Sequence, residues 1–203
     1  NEKIANCDLF VMIDLDEIGT HKINENDIYN AVSFLFSEKN IAGVFANQLG
    51  GYFDIWALRD DKYCDVDIWA EVFKFLMKNK KFSEQITKKN LEDAYKIILE
   101  KKTLSFNRDH PPIKVKSAFG GFGIYKMQSV LKNSEKYNGS QVLNIISKDN
   151  KNVTVNYQKC EHVNFNEGLV SQGNKLYVLP YLINYEFLSL ELKAEFALKL
   201  MIK

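Results

Sequence analysis

Apolar positions along this chain fall into short continuous runs that alternate with stripes at helical spacing. Residues 7–14 (CDLFVMID) form a short run without clean polar alternation, the pattern of a strand covered on both faces. Residues 24–39 (NENDIYNAVSFLFSEK) repeat apolar side chains every three or four positions, which predicts a helix capped by Asn26 or Asp27. A second run, 41–48 (IAGVFANQ), is closed by Gly50 and Gly51, and 52–59 (YFDIWALR) reads as a third strand. Residues 65–79 open on Asp65 and Asp67 and continue as an amphipathic helix, and a further helix is predicted over 83–100. Pro111 and Pro112 force an extended loop.

Residues 113–127 (IKVKSAFGGFGIYKM) predict strand, glycine turn, strand, with the turn at 120–123 joining antiparallel neighbours. A short helix (MQSVLKN) and a loop (NSEKYNGS) follow. The run 152–160 alternates as a strand, 161–173 is helical with Gly173 past its end, and 175–184 is a last strand. The tail 192–203 reads as a terminal helix. Strands alternating with helices, without an internal repeat or a linker, predict one α/β domain over 1–203, with a mixed sheet flanked by helices.

Composition narrows the function. The chain has 203 residues, 46% hydrophobic and 13% aromatic, enough for a sizeable core and against disorder. Lys and Arg number 27 against 26 for Asp and Glu, so no global field attracts nucleic acid or an anionic membrane. Any phosphate must be held locally. Cys7, Cys64 and Cys160 are too few and too scattered for a disulfide framework or a zinc finger, which implies a reducing, cytoplasmic setting. No apolar run reaches the ~20 residues of a membrane span.

The candidate chemistry begins with Asp14-Leu15-Asp16. Side chains alternate on a strand, so both carboxylates point to one side and call for a cation between them. Mn2+ or Mg2+ would meet that need and could bridge onto a diphosphate; two solvated aspartates at a strand end would write the same line. His162 could be a third ligand or a half-buried core histidine, and Glu161 beside it could orient an acceptor hydroxyl or act as a base. In 50–61 (GGYFDIWALRDD), Tyr52 and Trp56 offer flat faces on which sugar rings stack, and Arg59 with Asp60 offers a charged pair; core packing accounts for much of the same stretch. Gly120 and Gly121 do not open a long helix, which removes the dinucleotide and P-loop readings and leaves a tight turn under a bound substrate.

Taken in order, the D-x-D, GGYFDIWALRDD, SAFGGFGIYK, CEHVNFN and KLYVLPYLIN stretches resemble the GT-A type nucleotide-sugar glycosyltransferases. They are most similar to the group of fungal capsule-associated α-1,3-mannosyltransferases with its bacterial and viral relatives. The resemblance implies that Asp14 faces the ribose or a metal-bound water, and that Asp16 holds Mn2+ or Mg2+ on the donor diphosphate. It implies that His162 joins the metal and that Arg59 and Asp60 lie near the donor sugar or the acceptor. The expected partners are a nucleotide-sugar donor and a glycan or lipid-linked acceptor. Only 13 residues precede Asp14, so the N-terminal nucleotide-binding part expected of such a fold is incomplete in this chain. Two alternatives stand beside this one: a haloacid-dehalogenase-type phosphatase with Asp14 as nucleophile, and a non-catalytic sugar- or partner-binding module.

Overall fold

A computed structural model describes residues 6–15, 22–52, 54–100, 104–135 and 137–186. The predicted terminal helix at 192–203 and the residues Asp16 to His21 lie outside these.

The molecule is mixed α/β, with a five-stranded mixed sheet flanked by helices. Its strands are β1 (Leu9–Ile13), β2 (Ile41–Leu49), β3 (Ile113–Val115), β4 (Phe122–Lys126) and β7 (Lys175–Glu186), in the order β1-β4-β2-β7-β3. A separate antiparallel hairpin is formed by β5 (Ser140–Ile146) and β6 (Asn152–Gln158). The helices are α1 (Glu25–Ser37), α2 (Ile68–Asn79), α3 (Lys88–Glu100), α4 (Met127–Lys132) and α5 (Glu161–Ser171).

β4 runs antiparallel to both β1 and β2, while β2 and β7 are parallel. It follows that β1, β2 and β7 share one direction, and their carboxyl ends lie on one edge of the sheet beside the start of β4. In open α/β sheets that edge is where ligands bind.

Burial explains the strand patterns. β2 lies mid-sheet with helices over both faces, so Ile41 to Gln48 are all buried and polar alternation is absent. On one face Val44, Ala46, Ile124 and Leu179 pack against Ala31 and Leu35 of α1. On the other, Phe45, Tyr125 and Leu176 meet Val72 and Leu76 of α2, Ala94 and Tyr95 of α3, and Phe165 and Leu169 of α5. In β1, Phe10 and Met12 point to this second face. Among the described helices, none is long and apolar enough to cross a membrane.

Several boundaries differ from the sequence reading. α1 is capped by Asn24, whose side chain accepts from Asn26 N–H, while Asp27 sits inside the helix paired to Arg108. The glycine turn is real, but β3 and β4 are not neighbours; β3 pairs β7, and residues 116–121 cross the sheet to reach β4. Residues 52–59 are not a strand. Their apolar side chains are buried because the segment folds as a loop onto the core, with Tyr52, Ile55, Ala57 and Leu58 all fully covered. Asp54 Oδ1 accepts from Ala57 N–H at 3.2 Å, a local turn that competes with any ladder. β5 has no counterpart in the predictions.

β7 carries Pro180 in the sheet interior, where a ladder donor is missing. The register with β2 slips there, from Phe45↔Val178 to Asn47↔Ile183, and Asn47 Nδ2 enters the bulge to donate to Pro180 O and Phe106 O at 3.0 and 2.9 Å.

At Gly120 φ is +66°, and a Cβ would lie 2.8 Å from Ala46 O, a backbone atom. Gly173 shares the left-handed geometry (φ +84°), but a Cβ there would meet nothing within 4 Å. The left-handed backbone alone costs about 1–2 kcal/mol for an L residue. Gly173→Ala is expected to lose about that in urea denaturation, and Gly120→Ala distinctly more.

Candidate functional site

Three distant segments meet at the carboxyl edge. β1 delivers Asp14, whose N–H donates to Gly121 O at 2.9 Å and so extends the strand pairing one residue past Ile13. The same alternation that turns Phe10 and Met12 to the α5 side applies to Asp14.

The 50–60 loop delivers Asp54. Its Oδ2 accepts from Gly120 N–H at 2.8 Å and its Oδ1 from Ala57 N–H, so it brackets the loop to the glycine turn. Burial pushes its carboxyl up to about 7; the two backbone donors oppose that rise, while the charges of Asp14 and Glu161 add to it. The charges of Asp14 and Glu161 thus act on the Asp54 carboxyl.

α5 delivers the third group. Cys160 takes the cap position without a side-chain cap bond, Glu161 stands in the first turn, and His162 follows. An acidic residue is what a helix N-terminus favours. The His162 ring stacks on Phe119 with centroids 3.9 Å apart and planes at 17°, and its Nδ1 lies 3.2 Å from Tyr137 Oη. Burial pulls its imidazole down to about 4, against the opposing charge of Glu161, so the ring is neutral at physiological pH. Tyr137 is pushed above the ordinary phenol range, first by burial and then by Glu161, Cys160 and Asp14. Its hydroxyl therefore feels Glu161 and Asp14 from one position beside His162.

Behind these groups lies a small apolar wall of Ala57, Phe119, Cys160 and Val163, with Trp56 and Met12 packed against it. Trp56 Nε1 is buried and has no hydrogen-bond partner among the described residues. Cys160 is pushed up chiefly by burial, which makes it an inert thiol rather than a nucleophile.

Of the residues singled out from sequence, Asp14, Trp56, Gly120, Gly121, Glu161 and His162 are brought to this edge, and Asp16 lies outside the described residues. Arg59 and Asp60 are placed otherwise. The Arg59 guanidinium is turned inward, 7% exposed, paired with Asp67 and donating to Trp56 O and Leu58 O at 3.0 and 2.7 Å. Asp67 is also the cap of α2, so Arg59 ties the loop to that helix. Asp60 Oδ1 accepts from Lys62 N–H and Tyr63 N–H at 2.7 and 2.9 Å. It lines a groove of about 430 Å³ with Lys116, Val170 and Asn174. Val170 is nine residues along α5 from Glu161, about 13 Å at 1.5 Å per residue, so Glu161 and Asp60 serve opposite ends of that helix.

In the sequence Asp54 stands out only as the aspartate of the Tyr52–Asp60 stretch, with no role attached, and Phe119 and Tyr137 do not stand out. Asp54 carried one usable signal, an aspartate three residues before a backbone donor in a Gly-led loop. Tyr137 carried none, since its partner is 25 positions away.

Among the described residues, no three His, Cys, Asp or Glu side chains are grouped tightly enough to hold a metal ion, a statement that leaves out Asp16. The donor types gathered here, carboxylate oxygens with a neutral imidazole, are those that suit Mn2+ or Mg2+.

Two outcomes follow from this placement. An acid whose folded value is raised from 3.8 to about 7 favours folding most at low pH and loses that contribution as pH rises through the folded value. The stability difference between wild type and Asp54→Asn should therefore shrink from pH 4 to 7 and level off above, read by urea denaturation at several pH values. Asp67→Ala removes a cap and strands the buried Arg59 charge, so a loss of about 3 kcal/mol is expected in the same assay.

Compared with protein-family models, curated proteins and solved structures, the chain matches none.

Proposed function

We propose that this chain is a metal-dependent glycosyltransferase of GT-A type, moving a sugar from a nucleoside-diphosphate sugar to a hydroxyl of a glycan or lipid-linked acceptor. The observation that carries the reading is the convergence of Asp14, Asp54, Glu161 and His162, from three distant segments, on the carboxyl edge of the parallel strands. Acidic groups near enough to raise one another's carboxyls repel, and a divalent cation or a hydroxyl-rich ligand relieves that repulsion. Carboxylates drawn together at a strand edge are costly to a fold and useful to a site.

The roles divide by position. Asp14 and His162 would hold Mn2+ or Mg2+ together with Asp16, from the loop that follows Asp14. The cation, when bound, neutralises charge that develops on the leaving diphosphate. Glu161, at the mouth of the site and not engaged in the loop bracket, would orient the acceptor hydroxyl and take its proton. Asp54 would line the sugar pocket while its two oxygens keep the glycine turn in place. Trp56 would present its buried indole N–H toward a ligand hydroxyl. Arg59 would act on the site through the loop it anchors, and Asp60 would have no part in the chemistry.

A ligand that binds only the native state raises its stability, by about 2.7 kcal/mol at a hundredfold excess over Kd. In a thermal-shift panel of nucleotide sugars with and without Mn2+, one donor should raise Tm only when the metal is present. Asp14→Asn and His162→Ala should abolish that metal-dependent rise. A panel with no rise for any donor would sink the catalytic reading and leave a binding module.

A further inference from the structure

Among the asparagines of the chain, Asn138 alone precedes a glycine. It is exposed, in the loop that leads from α4 into β5, and its Oδ1 accepts from Ser140 N–H at 3.0 Å. That hydrogen bond makes an Asx turn, a closed ring of atoms that includes both Asn138 Cγ and Gly139 N. The side-chain carbonyl carbon and the next backbone nitrogen are therefore held in one tight turn. The same bond draws electron density from Cγ toward Oδ1.

Gly139 completes the arrangement. It has no Cβ to shield its nitrogen. Its carbonyl accepts from Lys159 N–H at 2.9 Å, which anchors it to the other strand of the hairpin, while its own N–H donates to none of the described residues. The nitrogen is thus fixed in place without being occupied by a ladder bond.

Asn133 shows what protection looks like five residues earlier. It makes the same kind of turn, with Oδ1 accepting from Glu135 N–H at 3.2 Å. Its Nδ2, however, donates to Phe165 O at 2.8 Å, and the residue after it is Ser134, whose side chain crowds the backbone nitrogen.

We infer that Asn138 is a modification site, at which the side-chain amide is exchanged for a carboxylate through attack by the Gly139 nitrogen. That nitrogen gives its proton to hydroxide and bonds to Asn138 Cγ. The Cγ–Nδ2 bond breaks, and Nδ2 takes up a proton from water and leaves as ammonia. Water then opens the resulting succinimide ring at either carbonyl. Opening at Cγ gives aspartate on an unchanged main chain. Opening at the main-chain carbonyl gives isoaspartate, whose backbone runs through Cβ and Cγ. Both products carry a new negative charge.

The change falls between two parts of the fold. Ser140↔Gln158 is the first rung of the hairpin, and isoaspartate lengthens the backbone just before it, which displaces the Gly139 carbonyl from Lys159 N–H. On the other side, Tyr137 adjoins Asn138, and its hydroxyl lies 3.2 Å from His162 Nδ1. The new charge arises one residue from the side chain that meets His162.

The test is to hold the full folded chain in mildly alkaline buffer and follow its peptides by mass spectrometry. The Asn138 peptide should gain the mass difference between NH2 and OH, at a rate that rises with pH, while the Asn133 peptide stays unchanged. Asn138→Gln and Gly139→Ala should each slow the conversion at this position several-fold. The converted protein should also accept methyl groups from an isoaspartate methyltransferase used as a reagent. In hydrogen exchange it should lose the protection of Lys159 N–H, which Asn138→Asp should keep. Conversion that occurs only in urea, or a rate unchanged in both variants, overturns the site. Converted protein that matches Asn138→Asp in methylation and in Lys159 protection overturns isoaspartate as a product.

Discussion

The site hangs on the peptide bonds around Gly120. The Gly120 N–H reaches out of the sheet to Asp54 at 2.8 Å, while the Gly120 carbonyl reaches into it to accept from Gln48 Nε2 at 2.8 Å and Asn184 Nδ2 at 2.6 Å. Gln48 Nε2 also donates to Asn184 Oδ1 at 2.9 Å, which closes the network across β2 and β7. One residue on, the Gly121 carbonyl takes the Asp14 N–H. Gln48 and Asn184 are both buried, where an unpaired amide costs about 1–3 kcal/mol. None of these groups can be moved alone. The left-handed turn lets one short backbone segment address the loop, the central strands and the edge strand together, and a side chain at Gly120 would have to occupy the space of Ala46 O.

This arrangement fixes charge where charge is unwelcome. Asp14 is tied to the turn by its backbone, Asp54 by its side chain, and Glu161 by the first turn of α5. The nearest buried cation, Arg59, is already bound to Asp67 and to two carbonyls, so it stiffens the loop without neutralising the cluster. Burial raises the Asp54 carboxyl first, and the charges of Asp14 and Glu161 add to it. A chain otherwise close to charge balance thus concentrates acid at the one sheet edge where ligands of α/β proteins sit.

Much of this was legible in the sequence, and the gaps have physical causes. β2 announces itself because a strand covered on both faces needs a continuous apolar run, whereas β1, expected to be buried likewise, is an edge strand with Val11 and Ile13 exposed; α2 is legible from its Asp67 cap and stripe, and α5 from Gly173 past its end. The loop 52–59 imitates a strand because buried loop residues obey the same demand for apolar side chains; the order Tyr52, Ile55, Ala57, Leu58 says that they are covered but not by what. The placement of β4 between β1 and β2 is a long-range choice, and the local glycine turn contains no trace of it. β5 is hard to read from sequence because its outward positions include Val142 and Ile146, which blur the alternation that marks β6. For the site, residue type pointed to Asp14, Glu161 and His162. The resemblance implied places for Arg59 and Asp60 near the donor sugar or the acceptor, whereas in the structure Arg59 is paired with Asp67 and Asp60 accepts from Lys62 and Tyr63 N–H. Consecutive residues of a folded loop face different ways, and Asp54, five places before Arg59, is the one that reaches the glycine turn.

Phe119 and Gly120 are neighbours in sequence, and this adjacency links the two halves of the site. Gly120 holds Asp54 through its N–H, and Phe119 holds His162 through its ring. The peptide plane between them is rigid, and the next plane, which carries the Gly120 carbonyl, is pinned to the central strands. His162 therefore takes its orientation from the sheet on one side and from Tyr137 on the other, although it belongs to neither. A ligand that drew the imidazole away from Phe119 would have to move the same backbone that carries the Asp54 bracket. Because the buried amides of Gln48 and Asn184 hold the Gly120 carbonyl, that backbone resists. The acidic pocket and the imidazole are held at a set separation by a two-residue turn, and the low dielectric of the wall around them strengthens each interaction made within it.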